Sequence, residues 1–224
     1  EIVRGFIEKQ KEILVGFYGS KKADKLLVDE GMKPRHVALS LTGDACMYPL
    51  LPELIEEIHN NNMTSFLVTN GTFPGMIKKL IDHQPTQLYV TLPAPDEETY
   101  IEVCKPLGDG GWNRIIDSLH LLKYFNRSVI RLTLAKGWNF KLPESYARIL
   151  NSVQFDFLEL KSAMPLGEAT YRMAFDQMVP HDEIKQFAQE MEKLTDLKII
   201  DEQFESRVIL MSRKNRNDRI MHFT

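Results

Sequence analysis

Polar and charged side chains in this chain gather just past short apolar runs, where β-strands would stop. The stretch HVALSLTGDACMYP, 36–49, sets the pattern. Its apolar residues alternate with small ones and suit a strand covered on both faces. Gly43 lets the backbone turn sharply, or approach a ligand where a Cβ would clash. Asp44 then stands at the carboxyl end of the strand, the edge at which α/β barrels and open α/β sheets carry their chemistry. The same residues also fit a plain βα turn with an acidic N-cap. Thr69, Asn70 and Thr72 follow the next apolar run, and Thr91 ends the third. Arg131 and Thr133 lie inside the fourth, with Lys136, Trp138 and Asn139 after it.

The fifth run ends on Glu159, Lys161 and Ser162. Glu159 and Lys161 bracket Leu160, so both leave one strand on the same side. They form either an inward ion pair or a carboxylate and an amine presented to a ligand. Lys136 sits beside Gly137 and Trp138. A lysine in a partly apolar mouth has a lowered pKa and can attack a carbonyl to form a Schiff base; a solvated surface lysine is the other reading. His181 and Glu183 read first as a helix start after Pro180. His36, His59, His83, His120 and His222 share no metal-ligand spacing. The two cysteines, Cys46 and Cys104, argue against a disulfide framework and fit a reducing compartment. Neither can hold zinc or a cluster by itself, so no metal ligand is assigned. Trp112, after Gly110-Gly111, reads as a core anchor.

The elements that must position these residues alternate. Strands are expected at 36–42, 65–69, 87–92, 128–134 and 155–160. Helices are expected at 50–62, 74–82, 96–104, 112–124, 143–151 and 181–194. Two late strands, 197–200 and 207–211, close the chain. Residues 1–34 read as a helical lead-in and 36–213 as one barrel domain. Strand–helix alternation implies parallel pairing with right-handed crossovers. The fold class is therefore α/β with mostly parallel strands, a barrel or a partial barrel. The 224 residues carry a net charge of −3, so the surface as a whole is no phosphate binder. Local basic groups stand at Lys21-Lys22, Lys78-Lys79 and Arg213-Lys214 with Arg216 and Arg219. No run of twenty apolar residues exists to span a membrane, and no signal peptide is visible, which points to a cytoplasmic protein. The chain begins at Glu1 inside a helical pattern, so further residues are expected upstream.

Taken together, the segments HVALSLTGDACMYP, SFLVTNGTFP, TQLYVTLPAP, KPL, IRLTLAKGWN, FLELKSAM and MVPHDE resemble the radical SAM tRNA 4-demethylwyosine synthases of wybutosine biosynthesis. They stand in the family's order from 36 to about 213. The resemblance implies a partial (β/α)6 TIM-like barrel of the radical SAM type that binds S-adenosylmethionine on a [4Fe–4S] cluster. It implies condensation of pyruvate carbons with N1-methylguanosine in the anticodon loop of tRNA-Phe. An electron donor such as a flavodoxin or ferredoxin would serve it, and a monomer is expected.

Residue by residue, the resemblance gives Gly43 and Asp44 the amino group of the cofactor, where the family more often has Gly-Glu-Pro. It turns Thr69, Asn70 and Glu159 toward the cofactor and Arg131, Trp138 and Asn139 toward substrate. Lys136 and Lys161 are rival amines for pyruvate. Pro93 stands where relatives tend to have an acid. The Cys-x-x-x-Cys-x-x-Cys cluster motif is not in this chain and is expected upstream of Glu1. Two other readings remain: a barrel lyase or aldolase using a Schiff-base lysine without a cluster, and a non-catalytic RNA-binding relative.

Overall fold

The computed structural model describes residues 1–40, 43–214 and 219–221. A seven-stranded sheet organises it, in the spatial order β1-β2-β3-β4-β5-β7-β6. Strands β1 (His36–Leu39), β2 (Thr64–Thr69), β3 (Gln87–Thr91), β4 (Ser128–Leu134) and β5 (Phe157–Ser162) run parallel. Strands β6 (Lys198–Gln203) and β7 (Val208–Ser212) form an antiparallel hairpin, and β7 docks antiparallel on β5. The helices are α1 (Ile2–Val15), α2 (Lys25–Gly31), α3 (Leu51–Asn60), α4 (Pro74–Lys79), α5 (Glu97–Cys104), α6 (Gly111–Leu121), α7 (Pro143–Ser152) and α8 (His181–Leu194).

Side-chain alternation gives the parallel strands two unlike faces. Leu67, Leu88, Val90, Ile130, Leu132, Leu158 and Leu160 are fully buried against the helices. They meet helix faces spaced at three and four residues, such as Leu51 and Ile55 of α3 and Ile184, Phe187, Ala188 and Met191 of α8. Between them Phe66, Val68, Tyr89, Thr91, Arg131, Thr133, Glu159 and Lys161 remain half-buried on the inner face. Strands buried on both faces were the expectation; helices cover only one of them. The lead-in packs separately, with Val3 of α1 against Ile58 and Met63.

Caps and close approaches set the loops. The Asp96 carboxylate accepts the Thr99 N–H at 2.8 Å and starts α5, which holds its carboxyl below the usual range. A Cβ added at Gly111 would lie 2.2 Å from the Tyr100 hydroxyl, so α6 can approach α5 only through glycine there. Trp112 packs on the core as expected and meets the Tyr100 ring at 5.9 Å.

Some bounds differ from the sequence pattern. The fifth strand runs two residues later than 155–160, which places Lys161 inside β5. The first strand ends at Leu39; positions 41–42 of the expected strand lie outside the described residues, as do Arg216 and His222. The pattern 112–124 breaks into α6 and a short 3-10 turn at Leu122–Tyr124.

Gly71 has φ +75°, and a Cβ there would lie 3.0 Å from Val90 Cγ1 and 3.6 Å from the Ile115 backbone. Gly71→Ala should lower stability by about 1–2 kcal/mol, the cost of a left-handed L-residue, read as a lower urea midpoint at unchanged slope. Leu132→Ala should cost about 2–5 kcal/mol through its cavity.

Candidate active site

Five parallel strands put their carboxyl ends on one edge, and Asp44 ties the first two of them together. Gly43 adopts φ +77°, and nothing lies within 4 Å of a Cβ built there. The Asp44 carboxylate accepts the Thr69 hydroxyl at 2.8 and 3.0 Å, the Asn70 N–H at 2.7 Å and the Cys46 N–H at 2.9 Å. Thr69 is buried and accepts the Gly71 N–H at 3.1 Å. Asn70 is exposed; its Oδ1 accepts the Thr72 N–H at 2.9 Å and hydroxyl at 2.6 Å. The structure thus brings Gly43, Asp44, Thr69 and Asn70 together. It shows Asp44 as a clamp between two loops, its oxygens already occupied by three donors of its own chain. Behind it Cys46 is buried, and that burial, with Asp44 close by, pushes its thiol up to about 12.

On the inner face, Arg131 and Glu159 are direct cross-strand neighbours. The Arg131 Nε donates to Glu159 Oε1 at 2.7 Å and Nη2 lies 3.4 Å from Oε2. The guanidinium also sits 4.5 Å over the Tyr89 ring. With 23% and 13% of the side chains exposed, the fork-shaped geometry offsets their partial desolvation. Burial, then the Glu159 charge, pushes the Tyr89 phenol up. Glu159 therefore pairs across the sheet with Arg131, and not along its own strand with Lys161. Lys161 lies opposite Thr133 in the register. Its side chain makes no hydrogen bond or ion pair among the described residues.

Lys136 is engaged elsewhere. Its Nζ donates to Glu183 Oε1 at 2.6 Å, near the start of α8. The two rival lysines thus differ: one is ion-paired and one is not. Asn139 is 4% exposed. Its Oδ1 accepts the Ala135 N–H, and its Nδ2 donates to the Pro93 and Thr133 carbonyls, each at 2.8 Å. All its side-chain hydrogen-bonding capacity braces the β4–α7 turn against the end of β3. The resemblance turns Asn139 toward substrate; here its amide holds backbone groups on both sides of the turn that carries Trp138. Trp138 is half-buried and lines a cleft with Glu102, Cys104, Lys105, Tyr171 and Arg172.

Sequence reasoning passed over Tyr89, Tyr171 and Arg172. The two-residue alternation of Gln87, Tyr89 and Thr91 carried the signal for Tyr89. Tyr171 and Arg172 lie in an irregular segment with no period to read.

Residues 153–213 match the family model for wyosine base formation. The S-adenosyl-L-methionine-dependent tRNA 4-demethylwyosine synthase of Pyrococcus abyssi is 40% identical over 216 residues, covering 95% of this chain and 63% of that protein. The solved structure described as TYW1 with a lysine-pyruvate adduct bound aligns at TM-score 0.86 and 33% identity, over 95% of this chain and 68% of that one. A crystal structure of archaeal TYW1 aligns at TM-score 0.77 and 31% identity, over 95% of this chain and 69% of the other. Fold and strand-end placement define an α/β partial barrel with its polar groups gathered at the carboxyl ends of parallel strands. Within that fold class, the chain belongs to the tRNA 4-demethylwyosine synthase family. It spans less than two thirds of the length of the Pyrococcus proteins it matches.

Asp44→Asn turns one acceptor into a donor facing other donors. It should lower stability by about 1–3 kcal/mol, measured by urea unfolding. At pH 8 iodoacetamide should label exposed Cys104 and leave Cys46 unlabelled in the folded chain. With its thiol near 12, Cys46 is only about 10⁻⁴ thiolate there.

Proposed function

We propose that the protein carrying this chain condenses pyruvate-derived carbons with N1-methylguanosine in the anticodon loop of tRNA-Phe, giving 4-demethylwyosine. The observation that carries the reading is the likeness, over nearly the whole chain, to a structure that holds a lysine-pyruvate adduct. The family match favours neither the cluster-free aldolase nor the non-catalytic RNA-binding barrel.

S-adenosylmethionine is named as the cofactor of the Pyrococcus relatives. The residues at the first two strand ends suit its amino-acid part. The backbone at Gly43 borders open space, and the Asn70 side-chain nitrogen has no partner among the described residues. When bound, the cofactor supplies hydrogen-abstracting chemistry. Asp44 holds both loops in shape for it. The iron–sulfur cluster does not fit this chain. A site-differentiated cluster takes thiolate ligands, while Cys46 is buried behind Asp44 and Cys104 stands at the end of α5. Among the described residues no group of three or more His, Cys, Asp or Glu could hold a metal. The cluster's ligands lie outside this chain.

Pyruvate is a small anionic keto acid. Lys161 is the amine we assign to it, because its half-buried side chain rises from the inner face with no carboxylate to neutralise it. The Arg131–Glu159 pair beside it fixes the local charge. Lys136, paired to Glu183, is the weaker candidate. Trp138 supplies a ring on which the extruded purine stacks, held in place by the Asn139 brace. A flavodoxin or ferredoxin as electron donor, a cytoplasmic location and a monomeric state complete the reading. No helix among the described residues is long and apolar enough to cross a membrane.

The test uses the full-length protein, reconstituted anaerobically with iron and sulfide. It receives S-adenosylmethionine, pyruvate, a reductant and tRNA-Phe bearing N1-methylguanosine, and nucleosides are read by mass spectrometry. The wild type should form 4-demethylwyosine; no product would overturn the reading. Lys161→Ala should lower product formation roughly 100-fold or more, on the scale of removing one positioned charge at a reacting group. Lys136→Ala should stay within a few-fold, and a Lys161→Ala enzyme as active as wild type would remove Lys161 from the mechanism. Trp138→Ala should slow tRNA turnover more than cofactor cleavage; equal loss of both would mark Trp138 as packing only.

A further inference from the structure

We infer that a groove beside the barrel mouth binds the single-stranded RNA that flanks the target nucleoside, with one base stacked on Tyr171 and the backbone held by Lys105 and Arg172. The inference rests on the tRNA reading above and names a second contact surface for it. The groove encloses about 740 Å³, inside the roughly 300–1,000 Å³ range of ligand clefts. Three segments wall it, each following the carboxyl end of a strand. The last turn of α5, Glu102 to Lys105, comes after β3; Trp138 comes after β4; Tyr171 and Arg172 come after β5. It therefore opens on the same edge as Asp44 and Asn70.

Its chemistry is that of a sequence-tolerant strand binder, aromatic faces interleaved with cations. Tyr171 is 82% exposed, an unusual position for a ring with nothing to stack on. Leu107 and Leu166 stand nearby in sequence and are also exposed. Lys105 and Arg172 have no ionic partner among the described residues. The one carboxylate of the groove, Glu102, lies 3.8 Å from the Lys141 ammonium, which offsets its repulsion of a phosphate. Geometry supplies the need for such a groove. A base drawn out of an RNA stack into a barrel leaves its neighbours without a stacking partner. A ring at the rim replaces that partner.

The experiment measures binding of a fluorescent anticodon stem-loop RNA to the full-length protein by anisotropy at several salt concentrations. Alkylation of Cys104, which lines the groove, is followed in parallel on its own peptide by mass spectrometry. Tyr171→Ala should weaken binding roughly 5- to 150-fold, the range for one base on one ring, while Tyr171→Phe keeps it. Lys105→Ala and Arg172→Ala should each lower the slope of log affinity against log salt by roughly 0.7. RNA should slow Cys104 alkylation. If Tyr171→Ala binds as wild type and RNA leaves Cys104 alkylation unchanged, the groove is overturned. Equal protection of Cys104 by polyglutamate, with RNA binding indifferent to Tyr171, overturns it in favour of an acidic peptide. Normal 4-demethylwyosine formation alongside either result fails the groove alone. Protection of Cys104 with no product from the wild type fails the reaction and leaves the groove standing.

Discussion

Parallel pairing is the constraint on which the rest of this molecule depends. Parallel neighbours cannot be joined by a tight turn, and each connection must return to the starting edge through a crossover. Leu39, Thr69, Thr91, Leu134 and Ser162, the last residues of β1 to β5, therefore share one edge of the sheet. Residues far apart in the chain meet there without any local instruction to do so. Asp44 reaches Thr69 and Asn70 across 25 and 26 positions. The crossovers also cover only one face of the sheet, so the other is left for polar groups.

The inner face shows what register adds to that arrangement. Arg131 stands directly opposite Glu159, and Thr133 opposite Lys161. A one-residue slip of β5 against β4 would turn Glu159 into the helix-covered core, where an unpaired charge is costly. The observed pairing gives Glu159 to Arg131 and leaves the Lys161 amine without a counter-charge. A cation with no carboxylate on a half-open face suits an anionic partner, and this difference separates the two lysines that looked equivalent in the sequence.

Polar residues after strands serve two ends in this structure. Asp44 and Asn139 spend their side-chain oxygens, and Asn139 its nitrogen too, on backbone groups and on Thr69. They shape loops, in keeping with the rule that buried polar groups find partners. Asn70, Trp138 and Tyr171 keep a face or a donor for something else. The braces and the presented groups depend on one another: Trp138 sits in the turn that the Asn139 amide holds, and Asn70 is placed by its own N–H on Asp44.

The order of strands and helices came from periodicity alone. Two-residue spacing put Glu159 and Lys161 on one face, and apolar runs stopping at polar residues marked the mouth. Those features are local, set by backbone sterics and by which side chains must leave water. The partners were not local. That Glu159 meets Arg131 and not Lys161, that Lys136 meets Glu183, that three strand ends enclose Tyr171, and that the last two strands turn back as an antiparallel hairpin all depend on contacts between segments tens of residues apart. Pairing and packing decide such contacts, and a side chain's type fixes what it can bond to without fixing which group arrives.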